Sequence, residues 1–156
     1  MSPLSPLNSL REETALMGSL LELTRQEQLR LVAADIEELA ALTLRKNALV
    51  LQLSACAKAR HAALGAAGLP AAEEGMDAWL AGPGQDADAA PLWAQLLELT
   101  RAAKEQNRVN GMLLNKHLAH TQGALATLRP AAQSGNIYGP SGQTTNSAPS
   151  RRLVVG

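Results

Sequence analysis

Three side chains in this sequence have types and positions that could support metal binding or nucleophilic chemistry: Cys56, His117 and His120. The two histidines are three residues apart, so on a helix they share one face, where their imidazoles could bind a metal ion. A functional metal site needs further ligands, and no Cys, Asp or Glu follows Glu105 along the chain. The missing ligands would have to come from another helix. We therefore expect no metal site and no cofactor.

Cys56 lies in a stripe of apolar residues, where a thiol is more often a small core side chain than a nucleophile. It is the only cysteine, so an intrachain disulfide is impossible, which fits a reducing compartment. No Gly-rich phosphate loop follows a strand pattern anywhere in the sequence. We expect no catalytic residues, and hence a protein that is not an enzyme.

The composition favours helices. The 156 residues include 28 Leu and 29 Ala but no Phe, one Tyr and two Trp. Leu and Ala are strong helix formers, whereas β-sheets draw on β-branched and aromatic residues. The sequence therefore predicts an all-α fold with an aliphatic core.

Charge and hydropathy limit the partners and the compartment. The chain has 14 basic and 14 acidic residues, and its longest basic cluster is the pair Arg151 and Arg152. Nucleic-acid binding needs a positive field that this sequence lacks. The first residues lack the basic start and apolar run of a signal peptide, and no 18-residue apolar stretch occurs. We expect a cytoplasmic protein that binds no nucleic acid and is not an integral membrane protein.

The prolines divide the chain, because an interior proline removes a helix hydrogen bond. The proline-free windows and glycine positions predict helices over about 4–32, 36–64, 71–81 and 91–128. Asp35 and Glu38 form a capping-box pattern that could separate the first two, although one continuous bent helix is an open alternative. The predicted fold is an elongated antiparallel three-helix bundle with a short intervening helix. We assign 1–130 to a helical domain and 131–156 to a polar, flexible tail.

Each long helix has an apolar seam with alternating spacings of three and four residues. The first two seams comprise Leu7, Leu10, Thr14, Met17, Leu21 and Thr24, and then Leu39, Leu42, Lys46, Leu49, Leu53 and Cys56. Lys46 interrupts its seam, so we expect its amine to reach solvent or to meet a glutamate of the first helix.

The last long helix has the seam Leu92, Leu96, Leu99, Ala103, Asn107, Asn110, Leu114, Leu118, Thr121, Leu125 and Leu128. Asn107 and Asn110 interrupt it, and a buried asparagine can set the register of neighbouring helices at a cost in stability. A second apolar patch lies off the seam and is a candidate for binding another protein. It consists of Val109, Met112 and Leu113.

The tail contains the only tyrosine, within Ile137-Tyr138-Gly139-Pro140. A lone aromatic side chain in a polar tail could be a recognition element. The alternative is a ring that packs back on the bundle.

Four motifs, taken in order, resemble the bacterial flagellar export chaperone family called FlgN. They are a pattern like Leu20-Leu21-Glu22 to Glu38-Leu39, then Lys46-x-x-Leu49, then Asn107-Arg108-Val109-Asn110-Gly111, and finally Tyr138-Gly139-Pro140-Ser141-Gly142. The match spans most of the chain. The segment from Ala62 to Ala90 and the terminal Arg151 to Val155 carry no such signature.

The resemblance implies a cytosolic chaperone of flagellar type III export. Such a protein binds hook-filament junction proteins, prevents their premature assembly and delivers them to the export gate, with export ATPase components as further contacts. We expect the patch of Val109, Met112 and Leu113 to bind the client, and the resemblance assigns gate docking to Tyr138 and Gly139. A monomer or weak homodimer is expected. The alternative function is a coiled-coil scaffold or adaptor, which would form a stable oligomer on its own.

Overall fold

The computed structural model describes residues 5–83 and 85–128, and these residues form four helices without any strand. The helices are α1 (Pro6–Ala33), α2 (Ile36–Ala66), α3 (Glu74–Ala81) and α4 (Ala89–Leu128). The predicted all-α fold is confirmed. The chain divides into two units, Met1–Leu114 and Asn115–Gly156, and the helical bundle belongs to the first.

Both ends of the turn between α1 and α2 are capped. The backbone N–H of Ala34, which has the left-handed conformation at φ 56° and ψ 35°, donates to carbonyl oxygens of the last turn of α1. One residue later, the Oδ1 of Asp35 accepts a hydrogen bond from the backbone N–H of Glu38 at 3.3 Å. The capping signal therefore marks a true helix boundary, and the continuous-helix alternative is wrong.

Cross-helix contacts show how the helices run. Glu27 and Glu13 of α1 form ion pairs with Lys46 and Arg60 of α2, so the partner moves forward along α2 as the position moves back along α1. The two helices are antiparallel. On α4, the earlier residue Trp93 lies under Arg60 and the later Asn107 bonds to Lys46. Helix α4 is therefore antiparallel to α2 and parallel to α1, as in an up-down-up bundle.

All four helices contribute to one apolar cluster, whose buried members are Leu10, Leu64, Met76, Trp93 and Leu96. Helix α3 covers it with Met76, while Trp79 and Leu80 pack against the cluster from the side. The short intervening helix predicted over 71–81 is present, although it begins at Glu74. A side chain at Gly75 would collide with the backbone carbonyl of Pro70, so glycine permits this close approach.

The predicted seams agree with burial in α1 and α2 but only partly in α4. In α1, five of the six seam residues are buried and Met17 is half-buried, and no seam residue of α2 is exposed. In α4, burial of the seam ends at Asn110, and Leu114, Leu118, Leu125 and Leu128 are 47–77% exposed. The expectation that these leucines are core residues is wrong. Helix α4 has 40 residues, whereas α1 has 28 and α2 has 31. The two shorter helices are therefore not long enough to cover the apolar seam of α4 over its whole length.

Candidate functional site: a polar network and an exposed apolar patch

A polar network crosses the middle of the bundle. Asn110 is 3% exposed, and its Nδ2 donates hydrogen bonds of 2.7 Å to the carbonyl oxygen of Thr24 and to Oε1 of Glu27. The Nζ of Lys46 donates to both carboxylate oxygens of Glu27, at 2.9 and 3.1 Å. The lysine thus meets a glutamate of the first helix, which is the contact that the sequence suggested.

Asn107 joins the same network from a more exposed position. Its Oδ1 accepts a hydrogen bond of 3.1 Å from Lys46 Nζ, so the asparagine links α4 to α2. Gln106 extends the network by donating to Oε1 of Gln28 and to Oδ1 of Asn110. A cavity of about 320 Å³ opens beside these groups. The two seam asparagines therefore hydrogen-bond to α2 and to α1, respectively.

A second charged cluster lies at the end of the bundle that α3 covers. The Nε and Nη2 of Arg60 donate to the two carboxylate oxygens of Glu13 at 2.7 and 3.1 Å, and both of these side chains are buried. Glu73 lies 3.0 Å from the same guanidinium, which stacks 4.9 Å over the ring of Trp93. Such a bidentate pair with a stacked aromatic ring suits arginine better than lysine.

Electrostatics keep this cluster ionised. Burial alone would disfavour the charged guanidinium, but the hydrogen bonds and charges of Glu13 and Glu73 outweigh it, so the pKa of Arg60 is raised. Partial burial likewise works against ionised Glu73, yet its bonds to Arg60 and His61 hold its pKa below the ordinary value. The cluster therefore contributes a fixed ion pair that ties α1, α2 and the start of α3 together.

The cluster was not predicted, although the sequence contains a signal for it. Arg60 follows Cys56 by four residues and so continues the seam of α2, as Lys46 interrupts it. The two cations are 14 residues apart, and so are their partners Glu27 and Glu13. Both cations therefore occupy equivalent positions two heptads apart. The sequence pattern that predicts a glutamate partner for Lys46 predicts one for Arg60 as well.

The candidate client-binding patch lies on α4 next to the network, since Val109 falls between Asn107 and Asn110. Met112 is 58% exposed, and Val109 and Leu113 are half-buried. The Nη1 of Arg108 approaches the Met112 sulfur at 3.0 Å. The three side chains are neighbours by helical spacing and form an apolar surface that is exposed at Met112 and half-buried at Val109 and Leu113.

The described part of the second unit, residues 115–128, is helical. Leu118, Leu125 and Leu128 are 51–77% exposed there. His117 and His120 lie on the same segment, and within the described residues no group of three or more His, Cys, Asp or Glu could hold a metal ion. Tyr138 and Gly139 lie outside the described residues.

Cys56 is a buried free thiol. Burial raises its pKa, and the nearby carboxylate of Glu12 raises it further. A raised pKa keeps the thiol protonated at neutral pH, and a protonated thiol is a poor nucleophile. The residue therefore acts as part of the α1–α2 contact.

A helical bundle that pairs its buried charges internally and exposes apolar side chains on its long helices is typical of a protein that binds other polypeptides. No helix in the described part of the chain is long and apolar enough to cross a membrane. A family comparison identifies the class: the model of the FlgN protein family matches residues 1–146. The chain belongs to the FlgN family of flagellar export chaperones. Searches of curated proteins and of solved structures found no significant match.

Proposed function

We propose that this protein is a cytosolic flagellar type III export chaperone that binds hook-filament junction proteins before their assembly. The observation that carries the proposal is the apolar patch on α4 of a chain that belongs to this chaperone family, where Met112 is 58% exposed and Val109 and Leu113 are half-buried. The bound client would be kept from premature assembly and delivered to the export gate, with export ATPase components as further contacts.

Helix-in-groove recognition would account for client binding by this patch. A client segment that is disordered before assembly can fold on binding and place the apolar face of an amphipathic helix against the patch. Met112 suits this role because its flexible, polarizable side chain adapts to different partner surfaces. The neighbouring network of Asn110, Glu27 and Lys46 holds α4 against α1 and α2, so the patch is presented by a fixed helix.

The double substitution Val109→Asp with Leu113→Asp tests the patch. It should abolish client binding, because two carboxylates would have to be desolvated in the complex. Helicity and melting temperature should change little, because Val109 and Leu113 are half-buried and neither belongs to the buried apolar cluster. Binding is measured by co-purification with a hook-filament junction protein and by titration calorimetry, and unfolding by circular dichroism.

The matched control is Leu44→Asp with Leu51→Asp, which introduces the same two charges on α2 at positions that are 73% and 72% exposed. The control should bind the client normally. A large fall in the melting temperature of the Val109 and Leu113 variant would show that the patch is part of the core. Equal client affinity of the patch variant and the control variant would show that the patch does not bind the client.

The alternative function, a coiled-coil scaffold or adaptor, has its own support in the exposed leucines of residues 115–128. Assembly separates the two functions. A scaffold forms a stable oligomer by itself, whereas the proposed chaperone is a monomer or weak homodimer that binds an added client at a defined stoichiometry. Light scattering coupled to size exclusion, with and without client, distinguishes them.

A further inference from the structure

Helices α2 and α4 leave a groove open between them, with α1 beneath. Two adjoining cavities of about 580 and 260 Å³ share Met17 and Leu20 of α1, Val50 of α2, and Thr100 and Lys104 of α4. The groove runs between two cross-contacts, Lys46 with Asn107 at one end and Arg60 with Trp93 at the other. Three helices thus surround a space of the kind that a fourth helix fills in a four-helix bundle.

The length and lining of the groove suit an α-helix. Lys46 and Arg60 are 14 residues apart on α2, which corresponds to about 21 Å at 1.5 Å per residue, or roughly four turns. Apolar side chains line both walls, among them Val50 and Leu53 of α2 and Leu97 of α4. Val50 is 49% exposed and Leu97 is 36% exposed, so a partner that covered them would remove apolar surface from water.

Charge decides which kind of helix fits. On α2 the groove is lined by Lys46 and Arg60, and Glu13 of α1 and Glu73 also line it at the Arg60 end. Lys46 and Arg60 are paired with glutamates of α1, whereas Lys104, which lines both cavities, forms no ion pair within the part of the chain that the structure describes. A carboxylate on the incoming helix could pair with Lys104.

The same charges argue against a second copy of this chain in the groove. A symmetric dimer uses the same patch on both subunits, so it would bring the two copies of Lys104 close to each other. Like charges at an interface oppose association. A partner with a carboxylate opposite Lys104 avoids that cost, as long as its acidic side chains lie away from Glu73 at the Arg60 end of the groove.

We propose that the groove between α2 and α4 docks an amphipathic α-helix of about four turns from another protein, with an apolar stripe against Val50 and Leu97 and an acidic side chain opposite Lys104. For the source of that helix, this inference rests on the proposed function, because a chaperone client supplies such segments. It adds a second docking surface, separate from the patch of Val109, Met112 and Leu113, and it specifies the chemistry of the segment that binds.

Two synthetic 18-residue peptides test the proposal on the full chain. Both carry the same leucine stripe at helical spacing, flanked by Glu in one peptide and by Lys in the other, and binding is measured by fluorescence polarisation. The Glu peptide should bind about tenfold more tightly than the Lys peptide, and Lys104→Glu should reverse this preference. Arg101→Glu makes the same charge change one turn away on α4, outside the lining of the groove, and should preserve the preference.

A second pair of variants locates the peptide. Val50→Asp places a carboxylate in the groove and should weaken binding of the Glu peptide at least tenfold, while Leu51→Asp changes the next residue, outside the groove, and should not. Equal behaviour within either pair of variants would overturn the proposal. A homodimer that Val50→Asp dissociates would also overturn it, by assigning the groove to a second copy.

The client itself separates this inference from the proposed function. If a junction protein binds the wild-type chain and the Val109 and Leu113 variant fails to bind, while Lys104→Glu and Val50→Asp bind normally, the groove is refuted and the chaperone function stands. If no junction protein binds the wild-type chain, the proposed function fails, and the peptide measurements still decide whether the groove accepts an acidic helix.

Discussion

At the scale of single residues, the buried pair of Arg60 and Glu13 shows how charge is placed inside this bundle. Their side chains are 3% and 5% exposed, and each satisfies the other through two hydrogen bonds. Desolvating two ions is costly, and the attraction between them offsets that cost only while both partners are present. Removing one partner therefore has a much larger effect than removing both.

This asymmetry makes Arg60→Met a sharp test. The substitution leaves Glu13 buried without its partner, so the free energy of unfolding should fall by about 3–5 kcal/mol. The double variant Arg60→Met with Glu13→Met should recover most of that loss, because it removes both charges and keeps apolar volume. Urea unfolding followed by circular dichroism measures both. If the free energy of unfolding of Arg60→Met were within about 1 kcal/mol of that of wild type, the pair would not be buried as described.

Glu73 gives the bundle a dependence on pH. Its pKa is lowered in the folded state, so its contribution to stability is fully present above the ordinary pKa of the carboxyl group, near 4.5, and is lost as the pH falls through the lowered value. The melting temperature should therefore drop more steeply below pH 4.5 in wild type than in Glu73→Gln. The difference should be small and should shrink in high salt, because the side chain is 56% exposed.

Glu74→Gln is the control for the pH series. It removes the adjacent carboxylate, which forms no ion pair within the described residues. Parallel pH curves for Glu73→Gln and wild type would contradict the assigned role of Glu73.

At the scale of helices, local signals predicted boundaries well because caps and breakers act within a few residues. The end of α1, the start of α2 and the end of α3 each follow from such signals. Burial along α4 did not follow, because its heptad pattern continues past Asn110 whether or not a neighbouring helix is present. A periodic stripe indicates that a surface can be buried, but the length of the neighbouring helices decides how much of it is.

The turn after α1 offers a stabilising substitution. Ala34 has a left-handed backbone conformation, which costs a residue with a Cβ roughly 1–2 kcal/mol relative to glycine. Ala34→Gly should therefore stabilise the protein, by up to about 1 kcal/mol once the greater chain entropy of unfolded glycine is included. Ala33→Gly, one residue earlier inside α1, should instead destabilise it by about 1 kcal/mol. Thermal unfolding of both variants tests this, and shifts of the same sign would contradict the cap geometry.

At the scale of the whole molecule, the specific contacts between helices are what the sequence could not predict. The seam pattern identified Asn107, Asn110 and Lys46 as polar residues within apolar seams. Only the structure shows that the carboxylate of Glu27 accepts hydrogen bonds from both Lys46 and Asn110. The groove between α2 and α4 was not predicted either, because the residue pattern of a single helix does not determine the distance between two helices. The family motifs, by contrast, assigned the chain to its family from sequence alone.

Tyr138 is proposed to act in delivery to the export gate and not in client binding. The family motif, not the described structure, proposes this tyrosine and Gly139 for docking to the export gate. A tyrosine provides a large amphipathic contact at low entropic cost, so Tyr138→Ala should weaken binding of the chaperone–client complex to the gate and reduce secretion.

Client affinity should be unchanged in the same variant, because Val109, Met112 and Leu113 are untouched. The control is Val109→Asp with Leu113→Asp, which should lose the client while the free chaperone still docks at the gate. Gate binding is measured by surface plasmon resonance, with wild type and both variants side by side. Equal gate affinities of wild type and Tyr138→Ala would exclude the docking role and favour the other interpretation of Tyr138, a ring that packs on its own bundle. Loss of client binding in Tyr138→Ala would instead assign the tyrosine to the client.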